Sequence, residues 1–104
     1  NFMNRSEKVF VYGVLKNPEI QREVIGRNGE GVFEIVENYK LSKIKLEDWV
    51  FPIAVPKKGS SLEGLVLYVT PEELKLIDEY KGKSYKRSKV RTKLVWRYAW
   101  IYHK

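Results

Sequence analysis

Few side chains here can do covalent chemistry, and those few narrow the choice. Cysteine is absent, which excludes a thiol nucleophile, a disulfide scaffold and every thiolate metal site. The one histidine, His103, stands next to the chain end, so a Ser-His-Asp triad or a zinc site would depend on a poorly anchored residue. No metal and no cofactor are expected. What is concentrated is positive charge. Between Lys81 and Arg97 lie eight basic residues and no acid: Lys81, Lys83, Lys86, Arg87, Lys89, Arg91, Lys93 and Arg97. Such a segment can meet nucleic acid, an anionic membrane or an acidic ligand. No nucleic-acid motif accompanies the charge, so a solvated sheet face is the favoured reading.

The chain that must position these residues has 104 of them, with a net charge of +7. That length makes one domain, residues 1–104, with one real core. At 43% hydrophobic and 13% aromatic it is too apolar for a disordered chain. The longest apolar run, Val9–Leu15, is broken by Gly13 and falls far short of the ~20 residues of a membrane helix. Asn1–Lys8 is too polar for a signal peptide. The expectation is a soluble cytoplasmic protein with no membrane partner.

Val9–Tyr12 is β-branched and aromatic and runs into Gly13, which predicts a buried strand ending at a tight turn. Asn17-Pro18 opens a short helix, with Ile20, Val24 and Ile25 as its apolar stripe. Val32–Lys45 alternates as two strands around a turn at Asn38. Trp49–Pro56 contains two prolines and reads as an edge or ordered loop, followed by a turn over 57–61 and a strand over 62–69. Thr70-Pro71-Glu72-Glu73 is a capping box that starts a helix ended by Gly82, with Leu74, Ile77 and Tyr80 on its apolar side and Leu76 widening it. Lys81 then sits at an exposed helix C-terminus, where the dipole favours a cation, with a ligand-facing role as the alternative. Tyr85–Leu94 alternates, with Arg87, Lys89, Arg91 and Lys93 on one face. Val95–Tyr102 alternates again, with Trp96, Tyr98, Trp100 and Tyr102 on a face read as core. This order is an α+β fold whose sheet curls into a small mixed β-barrel with two short helices.

Three pieces then stand in a familiar order. Val9-Phe10-Val11-Tyr12-Gly13-Val14-Leu15 resembles the opening Phe-Val-Tyr-Gly-Ser/Thr-Leu segment of the γ-glutamylcyclotransferase-like family. Phe51-Pro52-Ile53-Ala54 with Glu63-Gly64-Leu65-Val66-Leu67-Tyr68 is similar to that family's central segments. Ile77-Asp78-Glu79-Tyr80-Lys81-Gly82 with Tyr85-Lys86-Arg87 is similar to its Leu-Asp-x-x-Glu-Gly and Tyr-x-Arg segments. The resemblance covers about residues 8–102. It implies a small barrel with a cavity at one mouth.

The resemblance also implies a reaction, the release of 5-oxoproline from a γ-glutamyl amine. The α-amine attacks its own γ-amide carbonyl, so the protein mainly holds a near-attack shape. A carboxylate moves the proton to the leaving amine, and backbone N–H groups meet the developing oxyanion. Carried over, the substrate-binding turn is Tyr12, Gly13, Val14 and Leu15, with Val14 where the family has Ser or Thr. Tyr85 and Arg87 fall on further binding positions. Lys81 falls on the family's catalytic Glu position, and a charged lysine is no base. Asp78 and Glu79 are the nearby candidate acids, with Asp78 also suited to pairing with a basic neighbour. Two readings stay open: a protein that acts on a γ-glutamyl amine or similar small amide, and a non-catalytic small-molecule binding protein on the same fold. A weak nucleic-acid binder is a more distant alternative.

Overall fold

The computed structural model describes residues 4–95 and 97–104. In chain order it forms β1 (Glu7–Val11), α1 (Pro18–Ile25), β2 (Gly31–Leu46), β3 (Trp49–Val69), α2 (Pro71–Lys81), β4 (Lys86–Arg91) and β5 (Tyr98–His103). A single 3-10 turn, Val14–Lys16, joins β1 to α1.

Both helices start where local chemistry requires. The Asn17 side chain accepts from the Glu19 N–H, and Pro18 fills the first helical position of α1. At α2 the Thr70 hydroxyl accepts from the Glu73 N–H while the Glu73 carboxylate accepts from the Thr70 N–H, the reciprocal pair expected from the sequence. The same Glu73 carboxylate takes Nε and a terminal nitrogen of Arg27 at 2.7 and 2.8 Å, which fastens α2 to the α1–β2 loop. Leu74 and Ile77 of α2 are buried, whereas Leu76 and Tyr80 are exposed, so the stripe is narrower than the sequence suggested.

The five strands form one mixed sheet in the order β2-β3-β1-β5-β4. β1 and β5 are parallel, and the other neighbouring pairs are antiparallel. Two cores lie on its two faces. One, beneath the helices, holds Val9, Val11, Leu15, Leu67, Leu74, Ile77 and Tyr102. The other, inside the curl, holds Phe10, Tyr12, Val36, Ala54, Val66 and Ile101. Gly64 is required where β3 passes β1, because a Cβ there would lie 2.4 Å from the Val11 carbonyl oxygen.

The sheet is a half-barrel, and its open seam is bridged without a ladder. The Lys93 N–H donates to the Ile35 carbonyl at 2.8 Å. The Glu34 carboxylate, fully buried on β2, accepts from the N–H groups of Ile35, Leu94 and Val95. Burial pushes this carboxyl up, but the backbone donors outweigh it and hold the pKa below the ordinary value.

The middle of the chain corrects the sequence reading. β2 and β3 are two long strands of 16 and 21 residues, not four short segments. Asn38 is a bulge at φ 68°, its side chain accepting from the Gly59 N–H. Pro52 and Pro56 lie in the half of β3 beyond the β1 pairing, where β2 is the main ladder partner. No helix among the described residues is long and apolar enough to cross a membrane.

Candidate functional site

A cavity of about 280 Å³ opens between the helical side and the β2–β3 hairpin. Val14, Tyr80, Lys81 and Tyr85 line one side, and Leu46, Phe51 and Pro52 the other. The Tyr85 hydroxyl donates to the Pro52 carbonyl at 3.0 Å and closes one corner.

Of the four residues in the turn after β1, Val14 alone lines this cavity, and the other three have different roles. Tyr12 is buried. Its hydroxyl donates to the Tyr102 carbonyl at 2.5 Å and accepts from the Ala54 N–H at 2.8 Å, tying β1, β3 and β5 together. Burial is the main reason its pKa is pushed up to about 12. Gly13 passes so close to β3 that a Cβ would stand 2.9 Å from Pro52 Cγ. Val14 faces the cavity, and Leu15 is core. The first 3-10 bond runs from the Lys16 N–H to the Gly13 carbonyl at 3.1 Å. The N–H groups of Val14 and Leu15 therefore precede any intrahelical acceptor.

Lys81 is the last residue of α2, as expected, but its side chain is not exposed. It is partly buried, and its Nζ sits 4.9 Å from the ring centre of Tyr85, 5.7 Å from that of Tyr102 and 5.9 Å from that of Tyr12. Ring faces attract the cation, but burial dominates and lowers its pKa to about 8.

The remaining candidates fall outside the cavity lining. Asp78 accepts from Arg87 at 2.8 and 3.1 Å and from the Tyr102 hydroxyl at 2.5 Å. Burial raises its pKa, but these two partners outweigh it and hold the carboxyl below its ordinary value. Asp78 is thus the partner of a basic neighbour. Arg87 is spent on that pair and on the face of Trp100, 4.2 Å away. Glu79 is on the exposed side of α2. Leu46 lines the cavity with no signal in the sequence, and Phe51 and Tyr80, expected only in a family-like segment and on an apolar helix face, line it too. The apolar Phe51-Pro52 pair in the family-like segment is the sequence signal for this wall.

The basic strand also differs from expectation. On β5, Trp100 and Tyr98 share the outer face with Lys89 and Arg91, whose charges lie 5.2 Å from the respective ring centres. Tyr98 is 52% exposed and therefore not core. Trp96 lies outside the described residues. Groups of acids and histidine able to hold a metal are absent among the described residues.

A family model described as gamma-glutamyl cyclotransferase, AIG2-like, matches residues 9–104. AIG2-like protein C of Arabidopsis thaliana is 30% identical over 87 residues, which is 83% of this chain and 49% of that protein. The chain spans about half the length of the curated relatives it matches. A solution structure of an Arabidopsis thaliana protein superposes with a TM-score of 0.79 at 25% identity, covering 93% of this chain and 67% of that one. A structure of a gamma-glutamyl cyclotransferase superposes with a TM-score of 0.78 at 15% identity, covering 93% and 65%. The latter supports the fold.

Proposed function

The chain belongs to the gamma-glutamyl cyclotransferase, AIG2-like family, and from that premise we propose that its cavity binds a γ-glutamyl amine or a similar small amide. The observation that carries this reading is the convergence on one cavity of Val14, from the turn after β1, with Lys81 and Tyr85, from the end of α2 and the loop that follows it. In the reaction the family implies, the α-amine forms a C–N bond to the γ-carbonyl carbon. The bond to the departing amine then breaks, and that amine leaves with a proton taken from the former ammonium. Here the N–H groups of Val14 and Leu15 are the donors for the carbonyl oxygen. Tyr12 and Gly13 shape the turn, and Tyr85 holds the wall.

The proton-transfer step is where this chain departs. At neutral pH Lys81 is mostly protonated, since its pKa is about 8, and it cannot accept the proton. A placed carboxylate is worth about 10²–10⁴-fold in rate. The native chain is therefore expected to turn over slowly at pH 7 and faster as the pH passes 8. Lys81→Glu is expected to raise 5-oxoproline release across a panel of γ-glutamyl amines. Robust release by the native chain at pH 7 would show that another group serves as base. Binding without release by either protein would favour the second reading, a small-molecule binding protein. The same Lys81 supports that reading. A cytoplasmic setting belongs to the proposal: a chain without cysteine needs no oxidising compartment for its fold.

A further inference from the structure

Among the described residues, Lys81 is the one charged side chain lining the cavity. Its ammonium has three donors, and among the described residues none has a protein acceptor. The ion pairs Arg27–Glu73 and Arg87–Asp78 do not involve it. Tyr12 just after β1, Tyr85 ahead of β4 and Tyr102 from β5 offer it ring faces and no carboxylate. The nearest turn of its own helix presents Asp78, whose oxygens are taken by Arg87 and the Tyr102 hydroxyl. The site thus has a desolvated cation, three aromatic walls and an open side that leads into an apolar cavity.

We infer that Lys81 is a carboxylate receptor: the cavity takes a small anionic molecule whose carboxylate docks on Nζ and whose apolar stem lies against Leu46, Phe51 and Pro52. The inference rests on the reading of this cavity as the ligand site, and it adds the part of the ligand that Lys81 recognises. A buried charge without a partner is disfavoured, and an incoming carboxylate supplies both the counter-charge and the missing acceptors. The volume, about 280 Å³, suits a small molecule and excludes a peptide or nucleotide polymer from the interior. Binding also reverses the effect of burial, so the amine holds its proton more firmly in the complex.

The test pairs hexanoate with hexanamide, equal in length and shape, titrated calorimetrically into the full chain at pH 7. Hexanoate is expected to bind about tenfold tighter or more. Lys81→Met should abolish that preference, and Lys81→Arg should keep it. On the native chain, the NMR titration of the Lys81 ε-carbon should move to higher pH when hexanoate is saturating. Equal binding of acid and amide, binding of neither at millimolar concentration, or an unmoved titration would overturn the inference. The two readings fail separately. Recognition of γ-glutamyl amines with no acid-over-amide preference overturns only the receptor. Preference for the acid with no recognition of γ-glutamyl amines overturns only the γ-glutamyl reading.

Discussion

Lys81 at the cavity and Tyr12 buried behind it each carry a testable consequence for stability. Lys81 has a folded pKa of about 8 against an ordinary 10.5. Between those values the unfolded chain binds more protons than the folded one, so the stability of the fold rises with pH through that window. Lys81→Met is therefore expected to be more stable than the native chain at pH 7, with the gap narrowing at pH 9.5. Urea melts of both proteins at the two pH values measure it, and an unchanged gap would contradict the buried-amine account. Tyr12 titrates in the opposite sense. As an acid whose pKa is raised to about 12, it supports the fold below pH 10 and loses that support as the pH rises through 12. Tyr12→Phe removes the acceptor of the Ala54 N–H and the donor to the Tyr102 carbonyl. The expected cost is about 1–3 kcal/mol in an equilibrium melt. The sequence marked Tyr12 and Lys81 through their motif neighbours. It did not reveal that Tyr85 and Tyr102 would enclose the lysine, because that enclosure joins residues from three separate elements.

At the scale of elements, the helices were legible because each carries its own start and stop: Asn17-Pro18, the Thr70/Glu73 pair and Gly82. The long strands were not. Prolines at 52 and 56 and the polar run at 57–61 mimic a break, yet β3 continues because Asn38 and Gly59 absorb the irregularity together. The hairpin turn at Glu47-Asp48 was hidden as well. Its positive φ falls on Glu47 rather than on a glycine or asparagine, so it carries no usual turn signature. Glu34 was read only as one residue in an alternating strand, and nothing local says that its partners lie 60 positions away. Glu34→Gln puts an amide donor against backbone N–H groups and is expected to cost about 2–3 kcal/mol. Because this pKa lies below the ordinary 4.5, the stabilisation is intact above pH 4.5. It fades as the pH falls through the lowered value. An acid melt in which Glu34→Gln and the native chain differ equally at pH 3 and pH 7 would contradict this.

For the whole molecule, the net charge of +7 is strongest on the outer face of β4. The rings of Trp100 and Tyr98 there are already covered by Arg87, Lys89 and Arg91. Stacking of a nucleic-acid base would have to displace those cations. Short single-stranded DNA is therefore expected to bind weakly, with an affinity that falls steeply with salt. Tight binding that ignores salt, read by fluorescence anisotropy, would refute this. A row of charges also keeps an exposed sheet edge from pairing with another chain.

The β2–β3 hairpin gives the cavity one firm wall and one compliant wall. Tyr85 holds Pro52, and Tyr12 and Lys104 hold Ala54. Residues 43–51 beyond those anchors pair only across the hairpin, yet Leu46 and Phe51 complete the cavity from that overhang. The tip can breathe without disturbing the rest of the barrel, so residence time and affinity separate. A ligand is then expected to leave at a rate set by that overhang, while the helical side fixes how well it is held. Hydrogen exchange should be fastest, among the sheet amides, over 43–50, and a bound ligand should slow those amides first.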